Sequence, residues 1–473
     1  MAARRPKRSA TPLSASSNPP DAAPDGLPLP RRHWATAAVA LGIMMSVIDS
    51  TIGGAALPTI ARALNTTPAN SIWATNAYQL AVTVSLLPLA ALGEIVGYRR
   101  VYLSGMVLFT LASLACAMAT SFEGLVAGRA MQGFGAAGLM SVNSALIRFI
   151  QPRAGLAKGL GFNAMVVSSA AAAGPTVAGL ILGVADWPWI FAVNVPIGIA
   201  AFAIGLRNLP ETPRGRHRFD VVSALLSATT FGLLILGLDS LAHGGAAWTA
   251  LPQVGIGLLA GFLLVRRQAG VKRPLLPVDL LRIPVFALSI CTSLCSFMAQ
   301  SLTFASLPFL LQSGYGFSVL TAGLLTTPWF LATATAAPLS GRLMDRIPAA
   351  VLGGVGLAMM TAGLGLLAAL PDNPAVADIL WRMALGGFGF GLFQTPNNRT
   401  MVGAAPPERA GGASGLLSTA RLLGQTTGAA LVGLVLGWMA GMPVAGPKTA
   451  LTLGCGMAAL GACVSLLRLR TKS

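Results

Sequence analysis

Charge is what this 473-residue chain has least of: only 10% of its residues are charged, and 14 acidic side chains serve the whole length. A soluble domain averages about 25% charged residues, so a large water-facing domain is excluded. Histidine is scarcer still. The three present, His33, His217 and His243, fall between apolar runs or at their edges, away from any carboxylate cluster. That removes the usual makings of a metal centre or an acid–base enzyme site. The five cysteines, Cys116, Cys291, Cys295, Cys455 and Cys463, lie in apolar runs without metal-ligand spacing, and read as core rather than as a disulfide framework. No G-x-x-x-x-G-K-[ST] phosphate loop occurs, which argues against a pump driven by ATP.

Apolar length is abundant instead: 54% of residues are hydrophobic and the mean hydropathy is +0.72. A membrane span needs roughly 20 mostly apolar residues to cross about 30 Å of hydrocarbon, and such runs recur from Trp34 almost to the end. Strands of a membrane barrel would alternate apolar and polar residues, which these Ala/Leu/Gly/Val runs do not. The fold class is therefore an all-α membrane protein. Splitting the runs at Gly, Pro and charge clusters predicts fourteen transmembrane helices. Residues 1–33 read as a disordered cytoplasmic tail, 34–207 as a six-helix bundle, and 208–283 as a linker with two extra helices. A second six-helix bundle follows over 284–468, then a short cytoplasmic tail over 469–473.

The excess of 32 basic over 14 acidic residues, a net +18, would suit nucleic acid if it were clustered. It is not. With both termini cytoplasmic, 27 of the 32 Lys and Arg fall on the inner side, as positive-inside topology requires. Trp73, Trp187, Trp189, Trp248 and Trp381 fall near the outer ends of spans, where an aromatic belt would lie. The chain also repeats itself: "QPRAGLAKGLGFNAMVVSSAAAAGPTVAGLIL" parallels "PPERAGGASGLLSTARLLGQTTGAALVGLVL", and "PLAALGEIVGYRR" parallels "PLSGRLMDR". Parallel repeats are how many secondary transporters frame a midplane site.

Four stretches carry a resemblance: "IDSTIGGAALP" in the first span, "LVAGRAMQGFGAAG" in the fourth, "AAAAGPTVAG" in the fifth, and "WPWIFAVNVPIG" after it. In this order, with "RLMDR" between the tenth and eleventh spans, the chain resembles the fourteen-span drug:proton antiporter branch of the major facilitator superfamily. That branch includes quaternary-ammonium and methyl viologen exporters. The resemblance implies a proton-coupled multidrug antiporter exporting amphipathic, often cationic compounds across a bacterial inner membrane. It implies the proton as coupling ion, no cofactor, no enzyme activity, no nucleic-acid partner, and a monomer in the lipid bilayer. The alternative is a proton-coupled transporter of a single metabolite or antibiotic. Two departures stand out. Gly53-Gly54 replaces the usual Val-Asn, and Glu94-Ile95 replaces the usual Asp-Arg after the second span.

Asp49 is the residue that most needs explaining, because it lies about 22 Å along the first span from Trp34, deep in apolar sequence. An ionised carboxylate there needs a partner, a water-filled cavity or a raised pKa. Arg129, at a similar depth in the fourth span, is the expected partner, the pair coupling protonation to conformation; its rival reading is a guanidinium snorkelling outward. Gly174-Pro175 is expected to bend the fifth span and admit a neighbouring helix. By the resemblance, Glu94, Gly97, Arg99 and Arg100 form one gating loop, and Asp345 with Arg346 the other. Midspan Trp329, Gln394, Asn397, Gln300, Arg421 and Gln425 are the candidates for a substrate cavity. No metal site is expected.

Overall fold

The structure, a computed structural model, describes residues 25–152, 155–212, 214–215, 219–242, 247–268, 278–344, 346–404 and 410–470. The first part of the chain forms helices α1 (Arg31–Ala63), α2 (Pro68–Ser71), α3 (Trp73–Val96), α4 (Tyr98–Ala117) and α5 (Phe122–Ile150). It continues through α6 (Leu156–Val184), α7 (Trp189–Ala192) and α8 (Asn194–Asn208). The helices α9 (Val221–Ala242) and α10 (Ala247–Gln268) come next. The last part comprises α11 (Pro284–Phe309), α12 (Val319–Leu343), α13 (Ala349–Ala368), α14 (Val376–Ala404), α15 (Ala410–Trp438) and α16 (Ala445–Leu467). Long apolar segments fold this way because only a helix satisfies every backbone group within one segment in lipid.

Twelve helical segments among the described residues are long and apolar enough to cross a membrane, up to thirteen if a bent pair within α6 counts as one span. The expected fourteen is higher, and at α6 the difference has a physical origin. Helix α6 bends by 40° between Lys158–Ala171 and Ala173–Val184, where Pro175 cannot donate to the carbonyl of Ala171. In α9, a helix of 22 residues, the apolar stretch is described as far as Gly237, and the side chains at 238 and 239 lie outside the described residues.

Helix α1 packs on α6 and α8, α5 on α3 and α4, and, in the last part, α14 packs on α12 and α13 and α11 on α15 and α16. Glycines allow the closest of these approaches: a Cβ on Gly135 would lie 2.5 Å from the backbone of Phe109, and one on Gly389 2.4 Å from Gly356 O. The helix α10 packs on α9, which in turn touches both α3 and α15. Many large apolar side chains face outward, among them Leu111, Leu206, Leu251, Leu259 and Phe262, as expected where lipid is the solvent.

One core is shared between the two parts. Ile52, Leu57, Ile60 and Ile72 pack with Leu302, Phe309, Val432 and Leu436 at the ends of α1, α11 and α15 farthest from the N-terminus of α1. Away from that end each part has its own core, around Tyr102 and Phe109 in one and Trp329 and Phe393 in the other. Two sequence readings are corrected. Cys291 and Cys463 are exposed rather than core. Trp187 is buried against Phe191, with ring centroids 6.3 Å apart, whereas Trp189, Trp248 and Trp381 are exposed.

Candidate functional site

The buried charge of α1 sits in a closed polar network. Asp49 is 1% exposed and Arg129 fully buried; the guanidinium donates from Nη1 to Asp49 Oδ2. The other carboxylate oxygen, Oδ1, accepts from Gln132 Nε2 at 2.8 Å and from Asn194 Nδ2 at 2.8 Å. Ser121 caps the N-terminus of α5, accepting from Gly124 N at 3.1 Å, and so fixes the helical register in which Arg129 and Gln132 share one face. Asn194 arrives at the start of α8, beneath the "WPW" turn.

Arg129 is held by more than its counter-ion. Nε donates to Ala74 O at 2.8 Å and Nη1 to Gln132 Oε1 at 2.5 Å. The guanidinium carbon lies 4.3 Å from the Tyr78 ring centroid and 5.5 Å from that of Phe191. Gly133 brings α5 this close to α3, since a Cβ there would lie 2.4 Å from Tyr78 O. The departure at Gly53 has a use as well: a Cβ at that position would stand 3.3 Å from Arg129 Nη2. Arg129 thus has two neutral acceptors and two ring faces besides its counter-ion.

A cavity of about 310 Å³ lies between the two parts of the molecule. Its wall includes Trp329, Gln300, Gln394, Arg421 and Gln425, five of the six expected cavity residues. Asn397 is not among them. Its side chain donates to Ser293 Oγ at 2.7 Å and accepts from Arg468 Nη1 at 2.8 Å, a helix-tying role beside the end of α16. Nor does Asp49 line the cavity, although Ser46, Ser50, Thr51 and Tyr78 around it do. Tyr78, whose hydroxyl donates to Ser46 O at 3.0 Å, lines the cavity, whereas the carboxylate does not.

Gly174-Pro175 sits where three helices converge. A Cβ on Gly174 would lie 1.8 Å from Thr51 Oγ1, two residues from Asp49. On the other side, a Cβ on Gly323 of α12 would lie 2.4 Å from Pro175 O. The hydroxyls of Thr176 and Thr327 meet at 2.9 Å. Helix α6 is thus a spacer between α1 and α12, in the opposite part of the molecule.

The loop from α3 to α4 turns at Gly97, whose φ of 101° suits glycine. Arg99 pairs with Glu211 at 2.5 Å and donates to Leu206 O at 2.6 Å, while Glu94 O accepts from Gly215 N at 2.7 Å. These partners lie at and beyond the end of α8. Arg100 and Arg346 are exposed, and Asp345 lies outside the described residues. Sequence reasoning passed over Asn194, Gln132 and Tyr78 as site residues. Gln132 had a signal, three residues from Arg129 on the same helix face; the other two are joined to Asp49 only by the fold.

The chain matches the family described as the Major Facilitator Superfamily over residues 39–429. It is 50% identical over 449 residues to the uncharacterized transporter YebQ of Escherichia coli strain K12, covering 94% of this chain and 97% of that protein. It is 33% identical to the multidrug resistance protein Stp of Mycobacterium tuberculosis strain CDC 1551 / Oshkosh, covering 84% of this chain and 75% of that protein. Among solved structures, a bacterial homolog of the human lysosomal transporter Spinster, in an inward-facing and unoccupied conformation, superposes with a TM-score of 0.67. That likeness covers 94% of this chain and 98% of the other at 15% identity, and concerns the fold.

Proposed function

The chain belongs to the major facilitator superfamily of membrane transporters, and from that premise we propose that it is a proton-coupled antiporter exporting amphipathic compounds. The observation that carries the reading is the placement of Asp49. It is a buried carboxylate with three side-chain donors, on a helix shared between a cavity and the bent helix that separates the two parts. Protonation of Asp49 removes the charge that Arg129 and Asn194 hold against α1. The helix can then shift relative to α5 and α8, and α6 transmits the shift to α12 through Gly174, Pro175 and Gly323. The relation to Stp, named a multidrug resistance protein, supports export of more than one compound.

In the same proposal, bent α6 and α9 both span the bilayer, giving fourteen crossings. Helices α1 to α8 and α11 to α16 form the two moving bundles, and α9 and α10 link them. Basic residues place both termini in the cytoplasm of a bacterium, with the protein in the inner membrane. The shared apolar core then closes the outer side, and the cavity faces inward. The protein works as a monomer, with the proton as coupling ion and no other cofactor. The resemblance puts cations foremost among the substrates; the cavity wall does not, as argued below.

Acridine-orange dequenching in inverted vesicles energised by respiration tests the reading. Ethidium, benzalkonium, and neutral and anionic aryl compounds would be added to wild type and Asp49→Asn. Dequenching by some members of the panel in wild type and none in the variant is expected. An equal response in both proteins would remove Asp49 from the coupling step, and no response to any compound would move the reading to a single metabolite.

A further inference from the structure

We propose that the cavity selects an organic oxyanion carried on a flat apolar body, with Arg421 as its counter-charge. This deepens the export reading by naming the substrate class, and it reverses the cation preference that the resemblance suggests.

Arg421 lies on α15 and lines the cavity. Among the described residues it makes no hydrogen bond or ion pair, and its Nε is buried without an acceptor. Arg382 Nε and Arg129 Nη2 also lack an acceptor, but those arginines are held through their other nitrogens: Arg129 has Asp49, Ala74 and Gln132, and Arg382 has Asp378 at 3.7 Å and Leu366 O at 2.8 Å. A guanidinium offers five donors in a planar fork and accepts nothing. Its desolvation inside a membrane protein is costly without a partner, so an unpaired one facing a cavity is a site waiting for an anion. No Asp or Glu lines the cavity among the described residues, so no protein carboxylate competes there and none is present to attract a cation.

The neighbouring groups fit the same ligand. Gln425 lies one helical turn from Arg421, and Gln394 and Gln300 face the cavity from α14 and α11, supplying amide N–H donors. Trp329, fully buried and also in the wall, has an indole N–H without an acceptor. An indole can only donate, so two donor-only groups in this cavity lack partners. Beside them is a surface of rings: Phe304 stacks on Phe330 at 5.1 Å and meets Trp329 edge-on at 5.4 Å. Donors at one place and aromatic faces at another describe a carboxylate or sulfonate on an aryl body.

Binding to purified protein in detergent, without any proton gradient, separates this proposal from the export reading. Three probes share one body: 2-naphthoate, 2-naphthamide and (2-naphthylmethyl)trimethylammonium. Wild type should bind the naphthoate about tenfold or more tighter than the amide, as a charged hydrogen bond implies, with the ammonium weakest. Arg421→Gln should bring naphthoate and naphthamide level, Arg421→Lys should keep the wild-type order, and Arg421→Glu should put the ammonium first. Because Arg421 has no partner to lose, Arg421→Gln should melt no lower than wild type, so lost binding would not reflect misfolding. The proposal is overturned by a wild type that prefers the ammonium, by an Arg421→Gln protein that keeps the naphthoate preference, or by no naphthoate binding at about 1 mM. None of these outcomes bears on proton exchange, which the vesicle experiment reads separately.

Discussion

Arg129 and Arg421 are both arginines within membrane-crossing helices, and they are treated in opposite ways. The first is enclosed by a carboxylate, a backbone carbonyl, an amide oxygen and two aromatic faces. The second faces a cavity with no partner among the described residues. The two parts of the molecule differ in the same sense. Asp49 stands nine residues before Pro58 in α1, whereas Ala299 stands nine before Pro308 in α11. The core of the second part is built around Trp329, Phe390 and Phe393. A repeated architecture is therefore unequal in its buried charge, with an enclosed ion pair in one part and an unpaired arginine facing the cavity in the other. In the proposed antiporter, Asp49 behind Tyr78 would keep the proton step from depending on which compound occupies the cavity.

The contrast breaks most visibly at Arg129. Arg129→Ala leaves Asp49 uncompensated and should cost about 3–5 kcal/mol of stability, seen as a lower melting temperature in detergent. Adding Asp49→Asn to it should recover much of that loss, and a double variant no more stable than the single one would argue against the pair. Asn397→Leu removes a hydrogen bond from buried Arg468 and should cost about 1.5–3 kcal/mol, with ligand affinity unchanged because Asn397 stands outside the cavity. Gly174→Ala drives a methyl into Thr51 and should cost about 1–3 kcal/mol. It should also slow transport more than binding, and Thr51→Ala should rescue it in part. The smallest effect is the most telling in sign: Arg421→Gln should stabilise the protein, by about 1 kcal/mol, because it removes an unpaired charge. A destabilised Arg421→Gln protein would mean that the two arginines are not opposites after all.

Much of this was legible in the sequence because lipid makes charge conspicuous. Asp49 and Arg129 stand out from apolar runs, and their depths along two helices already matched. Gly174-Pro175 was legible as a bend, but its neighbours Thr51 and Gly323 were not, since nothing local says which helices α6 touches. Asn194 was written in "WPWIFAVNVPIG", but only the fold brings it 2.8 Å from a carboxylate 145 positions away. Asn397 failed in the opposite direction. A midspan amide suggests a cavity wall, yet α14 is surrounded by other helices and the side chain ties α11 and the end of α16 instead. The span count at α6 differed for a related reason: apolar content was visible there, but the size of the proline bend depends on three-dimensional geometry.

The central claim is that the proton and the exported compound use different places. Its most direct test is transport by Asp49→Asn in proteoliposomes, using whichever compound gives the strongest dequenching with wild type. Exchange of labelled for unlabelled compound without any gradient should continue in the variant, while uphill movement driven by an imposed pH gradient should be lost. Uphill movement that persists, or exchange that disappears together with it, would contradict the account.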